Sequence, residues 1–337
     1  MKVGLITRFF DLRNGGIGRF SIEMLEGLKK RDIEIIPVST DRKSSVGHVI
    51  YSTIEMPFRL PKDCDVYHCL TPQEAIYAPK RLSVVTFHDL IPWLHLKSID
   101  THYAQGRMRA IRRLGSKYYF KTAARIASKC RFIVCSSEFT RKELIEHLEV
   151  DESKVSVIRY GISRNLEPKP KRHSGFRIGT LSYLDPRKRI DLLIKAFLEA
   201  DIDGELLIGG AGTDESRLKR LADQDRRIKF LGFIPDDRLP DFYNSLDLFV
   251  FPTKFEGYGL PIVEAFACKK PVILLGDAFV PDEIKSRCTV VDNLADFLKN
   301  PKPAQDIEAN YSFARTHDWG AIVEEYIKLY QRVQLSK

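Results

Sequence analysis

Two glutamates, Glu256 and Glu264, stand with seven residues between them in the stretch PTKFEGYGLPIVEAFACKKP, residues 252–271. Glu256 opens a loop carrying Gly257 and Gly259, and Pro261 suits the first position of a helix, where its missing N–H costs nothing. Glu264 then falls about one turn in. The N–H groups of Gly257, Tyr258, Gly259 and Leu260 are placed at the positive end of that helix. Donors for an anion lying between two acceptors for hydroxyls suit a diphosphate flanked by two sugars. In this reading Glu264 takes a ribose and Glu256 a hexose. A helix with an acidic first turn is the plainer alternative.

Other residues of the same chemistry also follow apolar strand-like runs. Arg187, Lys188 and Arg189 in LSYLDPRKRIDLL form a basic cluster suited to a diphosphate leaving group, or else a solvated surface run. Gly209, Gly210 and Gly212 in LLIGGAGTDESRL make a turn compatible with phosphate. Gly15, Gly16 and Gly18 precede a helix in DLRNGGIGRFSIEML and let backbone approach an anion. A nicotinamide fingerprint is the competing reading there, with Asp41 near the acidic position. It lacks its third glycine, because Ser21 stands in that place. His88 and Asp89 directly follow the run SVVTF, so His88 can donate to a sugar hydroxyl or a reacting oxygen, or simply pack at a strand end. His68 is similarly placed after DVY.

The elements that must position these residues alternate twice. KVGLIT, IEIIPVS, DVYHCL, SVVTFH, RFIVCSS and VSVIRYG read as strands, several of them apolar without alternation, as in a parallel sheet covered on both faces. GRFSIEMLEGLKKR and SSEFTRKELIEHL between them read as helices, the second capped by Ser136 or Ser137. The alternation restarts with strands FRIGTLSYL, GELLIGG, IKFLGF, LDLFVFP and PVILLGD. The expected organisation is an α/β domain over 1–162, a linker over 163–175 rich in Pro and Lys/Arg, and a second α/β domain over 176–315. A final helix over 316–337 is expected to pack back toward the first domain. Ligands of parallel sheets bind beyond the carboxyl ends of the strands, and two such sheets facing each other make a deep cleft.

The charge is uneven. The 337-residue chain has a formal net charge of +9; residues 1–160 hold 27 Lys/Arg against 18 Asp/Glu, and residues 161–337 hold 27 of each. An anionic partner is therefore expected for the first half alone. Arg109, Arg113, Lys117, Lys121 and Arg125 recur every fourth residue, with Met108, Ile111, Tyr118 and Ile126 expected on another side. This reads as a basic amphipathic helix for an anionic membrane or acidic acceptor, or as the solvated face of a core helix. No base-reading motif accompanies the charge, so nucleic acid is not the expected partner. No run of eighteen apolar residues occurs, and the expected location is cytoplasmic or on the inner face of a membrane. The six cysteines lack a C-x-x-C pair and read as buried thiols, and no Asp/Glu cluster suggests a metal.

In chain order, NGGIGRF, SSEFTRKEL, VSVIRYGI, DPRKRIDLLIKAF, IKFLGFIPDDRLPDFYNSLDLFVFPT and FEGYGLPIVEA resemble segments of retaining GT-B glycosyltransferases of the family-4 type, the glycosyltransferases of group 1. The resemblance implies a GT-B architecture, two Rossmann-like parallel-sheet domains facing across a cleft. It implies that Glu264 holds the nucleotide ribose and Glu256 the transferred hexose, with backbone donors from Gly257 to Leu260. It implies that Lys188 neutralises the diphosphate with Gly16 close by, that His88 contacts the hexose, and that backbone at Phe233 and Ile234 lines the base. The implied reaction moves a hexose from a nucleoside-diphosphate sugar to a hydroxyl of a glycan, lipid-linked or small-molecule acceptor. It keeps the anomeric configuration and uses no metal or other cofactor. The chain departs from the pattern at Ser182, where many members carry an arginine six residues before the lysine. Arg187 is the candidate to supply that charge; the departure also raises the alternative of a nucleotide-sugar-binding protein without turnover.

Overall fold

The computed structural model describes residues 1–12, 15–42, 45–94, 107–169 and 175–335, the side chains of Ser45 and of residues 107–114 excepted. The expected linker therefore lies partly outside the described residues. The chain forms two compact units: one from residues up to 161 together with the stretch from Trp319, the other from residues 162–318.

The first unit is built on a parallel sheet of six strands: β1 (Lys2–Ile6), β2 (Glu34–Val38), β3 (Val66–Cys69), β4 (Ser83–Phe87), β5 (Phe132–Cys135) and β6 (Val155–Val157). Their order is β2-β1-β3-β4-β5-β6. Every residue of β3, β4 and β5 is buried, which is why these runs are apolar without alternation. The helix Gly15–Lys29 buries Phe20, Met24 and Leu28, spaced four apart on one face. Its start corrects the sequence reading: Gly15, Gly16 and Gly18 form the first turn of the helix and do not precede it. The helix Glu138–Leu148 begins at Ser137, whose hydroxyl accepts from the Thr140 N–H at 3.2 Å.

The helix Trp319–Gln334 belongs to this unit. Trp319 and Tyr326 pack on Phe20, with ring centroids 5.9 and 6.0 Å away. Tyr326 also stacks on the His68 ring at 5.1 Å. His68 is fully buried in β3; its Nδ1 meets the Tyr330 hydroxyl at 2.6 Å and its Nε2 the Thr86 hydroxyl at 2.9 Å. Burial, with the nearby His88, lowers the His68 pKa to about 3. It is a neutral structural fastener for the last helix.

The helix Arg107–Ala127 carries the basic row. Among its described side chains Phe120, Ala123, Ala124 and Ala127 are buried and Ile126 is half-buried; Tyr118, expected on the apolar side, is 75% exposed. A row of every fourth residue drifts about 40° per step around a helix of 3.6 residues per turn. The row accordingly climbs from half-buried Lys117 and Lys121 to exposed Arg125. The side chains of Arg109 and Arg113 lie outside the described residues.

The second unit repeats the plan with β7 (Phe176–Leu181), β8 (Gly204–Gly209), β9 (Ile228–Gly232), β10 (Leu248–Val250), β11 (Val272–Leu275) and β12 (Thr289–Val291). The order is β12-β11-β10-β7-β8-β9, all neighbours parallel. Sequence reading misses β12 because three residues with partly exposed side chains carry no periodic signal. In each sheet the chain winds outward in both directions from a central pair, β1 and β3 in one, β7 and β10 in the other. Such a reversal leaves a crevice at the carboxyl ends of the two central strands.

Candidate active site

In the second unit the reversal brings together the loops after β7 and β10, which hold the basic cluster and Glu256. The side chain of Asp185 accepts from the Arg187 N–H at 2.9 Å and starts a short turn, Pro186–Lys188. Arg189 follows with φ +51 and leads into the helix Ile190–Ala200. The Arg189 guanidinium ties the two loops by donating to the carbonyls of Pro252 at 2.7 Å and Thr253 at 2.9 Å. The Lys254 N–H donates to the Arg187 carbonyl at 2.9 Å. Arg189 is thus occupied in holding the frame, and Lys188 and Arg187 face the chemistry.

Both of these reach one oxygen of Glu256. Oε1 lies 2.5 Å from Lys188 Nζ and 3.4 Å from Arg187 Nη1, and it accepts from the Thr253 hydroxyl at 2.6 Å. Arg187 also donates to the Phe255 carbonyl at 2.5 Å. Lys188 is buried, its ammonium 5.1 Å over the Phe251 ring. Burial pushes the Glu256 carboxyl upward, but Lys188 and Arg187 outweigh it and hold the group below the ordinary carboxylate range. Burial and the neighbouring Arg187 draw the Lys188 pKa down against the pull of Glu256. Arg187 also lies 3.6 Å from Asp185 Oδ2, so two adjacent cations face two carboxylates, and both cations reach Glu256.

Gly259, at φ +98, turns the chain into the helix Leu260–Ala267, with Pro261 as its second residue. The first amides of that helix, including Leu260, have no intrahelical acceptor. Glu264, the fifth residue, is buried and accepts from the Tyr243 hydroxyl at 2.7 Å. The Tyr258 hydroxyl meets His317 Nε2, so its side chain is turned into the unit and its backbone borders the loop.

The loop after β8 lies directly against the loop after β7. A Cβ on Gly210, whose φ is +105, would sit 1.8 Å from the Ser182 carbonyl oxygen. Only glycine fits so close an approach in that conformation. The Gly210 N–H donates to the Gly232 carbonyl at 2.7 Å, which places the end of β9 alongside. Phe233 follows half-exposed, and Ile234 packs over Gly209. Ser182 is buried with its hydroxyl unpartnered among the described residues.

His88 and Gly16 belong to the first unit. His88 Nε2 meets the Leu70 carbonyl oxygen at 2.8 Å, and Nδ1 meets the Tyr160 hydroxyl. A carbonyl only accepts, so Nε2 carries the proton and Nδ1 accepts from Tyr160. Burial lowers the His88 pKa to about 4. Neutral His88 has both ring nitrogens engaged within its own unit; donating to a sugar would require exchanging the Leu70 carbonyl. Asp89 accepts from the Ile91 N–H at 3.0 Å and starts the short helix Ile91–Leu94.

Sequence reading placed Arg187, Lys188 and Glu256 in one site, and they are in direct contact. It missed Thr253, Phe251 and Tyr243. Thr253, three residues before Glu256, carried a readable signal, a hydroxyl within turn distance of a carboxylate. Tyr243 lies on another helix and carried none. The six cysteines are all buried and free of disulfides. Among the described residues no three His, Cys, Asp or Glu side chains are grouped as metal ligands.

Two parallel-sheet α/β units with a cationic site at a central strand pair define a GT-B type of glycosyltransferase fold. The family described as Glycosyltransferase Family 4 matches residues 14–166, and that described as Glycosyl transferases group 1 matches residues 163–310. The chain belongs to this group 1, family-4 type of glycosyltransferases. It is 23% identical to the O-antigen chain mannosyltransferase B of Escherichia coli over 87% of each chain. Its fold matches sucrose-phosphate synthase from Thermosynechococcus elongatus with a TM-score of 0.76, at 16% identity over the whole of both chains. It also matches Anabaena HepE in complex with UDP and glucose, with a TM-score of 0.71 at 17% identity over 98% of this chain and 100% of that one.

Proposed function

We propose that the protein is a retaining hexosyltransferase that takes a nucleoside-diphosphate hexose as donor and a hydroxyl of a glycan or lipid-linked molecule as acceptor, with no metal ion. The observation that carries this is the convergence of Lys188, Arg187 and the Thr253 hydroxyl on Glu256 Oε1. The two adjacent cations suit a diphosphate, and the carboxylate they neutralise suits sugar hydroxyls. On donor binding, Lys188 and Arg187 turn from Glu256 to the phosphates, and Glu256 is released to the hexose. Glu264, steadied by Tyr243, takes the ribose. Backbone of residues 257–260 and at Gly210 approaches the phosphates and hexose, and backbone at Phe233 and Ile234 borders the base. Gly16 and the neutral His88 serve the phosphates and the hexose from the first unit.

The bond from the anomeric carbon to the phosphate oxygen breaks as the acceptor oxygen attacks the same face. The acceptor proton passes to the departing phosphate oxygen, and the nucleoside diphosphate leaves. Lys188 and Arg187 do the work of a divalent cation on the leaving group. The test is release of nucleoside diphosphate from a panel of UDP- and GDP-hexoses, with and without EDTA, the product anomer read by NMR. Transfer that is EDTA-resistant, retains configuration and is absent in Glu256→Ala supports the reading. Binding without turnover with every acceptor would favour a carrier of nucleotide sugars instead.

We also propose that the first unit rests on an anionic membrane surface. Phe58 is 88% exposed and Tyr118 75% exposed. A contact between the Ser52 and Tyr119 hydroxyls joins the helical segments that carry them, with Lys117, Lys121 and Arg125 alongside. Flotation with anionic but not neutral vesicles, lost in a Phe58→Ser/Tyr118→Ser variant, is the expected result; equal binding to both vesicles would contradict it.

A further inference from the structure

The reversal point of the first sheet holds a second built charge pair, which the transfer reaction as described does not use. Arg8 follows β1 and Glu74 follows β3, the two central strands. Arg8 Nε lies 3.2 Å from Glu74 Oε1. The Glu74 side chain is fully buried, and its other oxygen accepts from the Thr71 hydroxyl, which also meets Gln73 Oε1 at 2.8 Å. Arg8 is different. Its side chain is 20% exposed, and among the described residues Glu74 is its single ion-pair partner, with the Phe9 ring 5.6 Å from its guanidinium carbon. A guanidinium has five N–H donors in a planar fork. One edge here faces a buried carboxylate that cannot release it without stranding its own charge. Among the described residues most of the remaining donors have no acceptor. The Tyr51 hydroxyl donates to the Thr7 carbonyl at 3.1 Å and holds the chain just before Arg8. The charge of Arg8 is felt at His48 and at His88, so all three share this end of the sheet.

A partly exposed guanidinium, ion-paired to a buried carboxylate at the reversal crevice of the unit that carries the whole charge surplus, suits an anion. We propose that Arg8, positioned by Glu74, binds a phosphate group carried by the acceptor, so that the acceptor is a phosphorylated sugar or a phosphate-linked lipid rather than a neutral glycan. This rests on the hexosyltransferase reading only for the word acceptor; the phosphate site itself is independent of it.

The experiment is side-chain NMR of the full chain labelled with ¹⁵N-arginine. The Arg8 Nε–H signal is assigned by its loss in Arg8→Lys. Mannose 6-phosphate and hexyl phosphate serve as probes of a sugar-borne and a lipid-like phosphate, with mannose as the neutral control. Both phosphates are expected to move the Arg8 signal in wild type and in Lys188→Ala, and mannose to leave it in place. If only one phosphate moves it, the site is real and the source of the phosphate is read directly. Arg8→Lys keeps the charge facing Glu74 but loses the fork, and should bind the phosphates about tenfold more weakly, as for one charge-assisted hydrogen bond. Its melting temperature should be unchanged, which a purely structural ion pair would not predict. An Arg8→Gln/Glu74→Gln variant, which strands no charge, should lose phosphate binding and keep its affinity for UDP or GDP. An unmoved Arg8 signal, an equal response to mannose, or a response that vanishes in Lys188→Ala would overturn the proposal. Failure of the transferase reading would instead show as absent donor turnover, with the Arg8 response intact.

Discussion

The two sheets have the same plan and different charge at the same place. At the reversal point of the first, one arginine meets one fully buried glutamate, and His88 at the same end of the sheet has both ring nitrogens engaged. At the reversal point of the second, a lysine, an arginine and a threonine hydroxyl crowd one carboxylate oxygen. The parallel sheet sets where a ligand goes. The number of adjacent cations, set by a few loop residues, decides how much negative charge the ligand brings. One arginine with spare donors suits a single phosphate, and a neighbouring lysine and arginine suit a diphosphate.

The sharpest way to break this contrast is to remove the carboxylate of the second site. Glu256→Ala removes the carboxylate that buried Lys188 contacts and leaves the lysine beside Arg187, and should cost about 3–5 kcal/mol of stability. Urea titration followed on second-unit amides would register it, with transfer abolished. Loss of less than about 1 kcal/mol would mean that the pair is not desolvated. The next largest effect is expected from Lys188→Ala, with Glu256 still bonded to Thr253 and near Arg187. Removal of one donor to the leaving group should raise the barrier by about 2.7–4 kcal/mol, a fall in kcat of roughly 100- to 1000-fold. An unchanged kcat would assign the leaving group to other residues.

Acid separates the two units in a third way. His68 and His88 have pKa values lowered to about 3 and about 4, both in the first unit. An unfolded chain takes up their protons near pH 6.5, while the folded unit does not. Stability from this source is complete above pH 6.5 and is lost as pH falls toward 4 and then 3. Between pH 6.5 and pH 5 the loss should be about 2 kcal/mol per histidine. Amide protection factors, which correct for the slower intrinsic exchange in acid, should therefore fall in the first unit on acidification and much less in the second. An equal fall in both would contradict the assignment. The smallest expected effect is that of Tyr243→Phe, which removes the bond to Glu264 and should cost about 1–2 kcal/mol of nucleotide affinity. Affinity for free hexose should not change.

Much of this was legible before any coordinates. Strand-like runs gave eleven of the strands, most plainly β3, β4 and β5, because a strand buried on both faces must be apolar throughout. The site was legible in its charged members: Arg187, Lys188 and Glu256 lie at loop starts after such runs, and a parallel sheet collects loop starts on one edge. Thr289–Val291 was too short to show a pattern. The partnership of Tyr243 with Glu264, and of Arg8 with Glu74, depends on strand order. No spacing along the chain encodes that order, since β1 and β3 become neighbours only once β2 has moved to the far side. Nor could the sequence show that Arg189, the third cation of its run, is consumed in bracing the loop of residues 252–253.

The central claim is that the Lys188–Arg187–Glu256 cluster exchanges partners with a nucleoside-diphosphate hexose. Calorimetric titration of wild type and Glu256→Gln with UDP, UDP-glucose, GDP and GDP-mannose tests it most directly. Wild type should prefer one sugar nucleotide over its free diphosphate. Glu256→Gln should bind that diphosphate at least as tightly and lose the preference for the hexose by about tenfold or more. Equal weakening of both ligands in Glu256→Gln, or no binding of any of the four by wild type, would contradict the account.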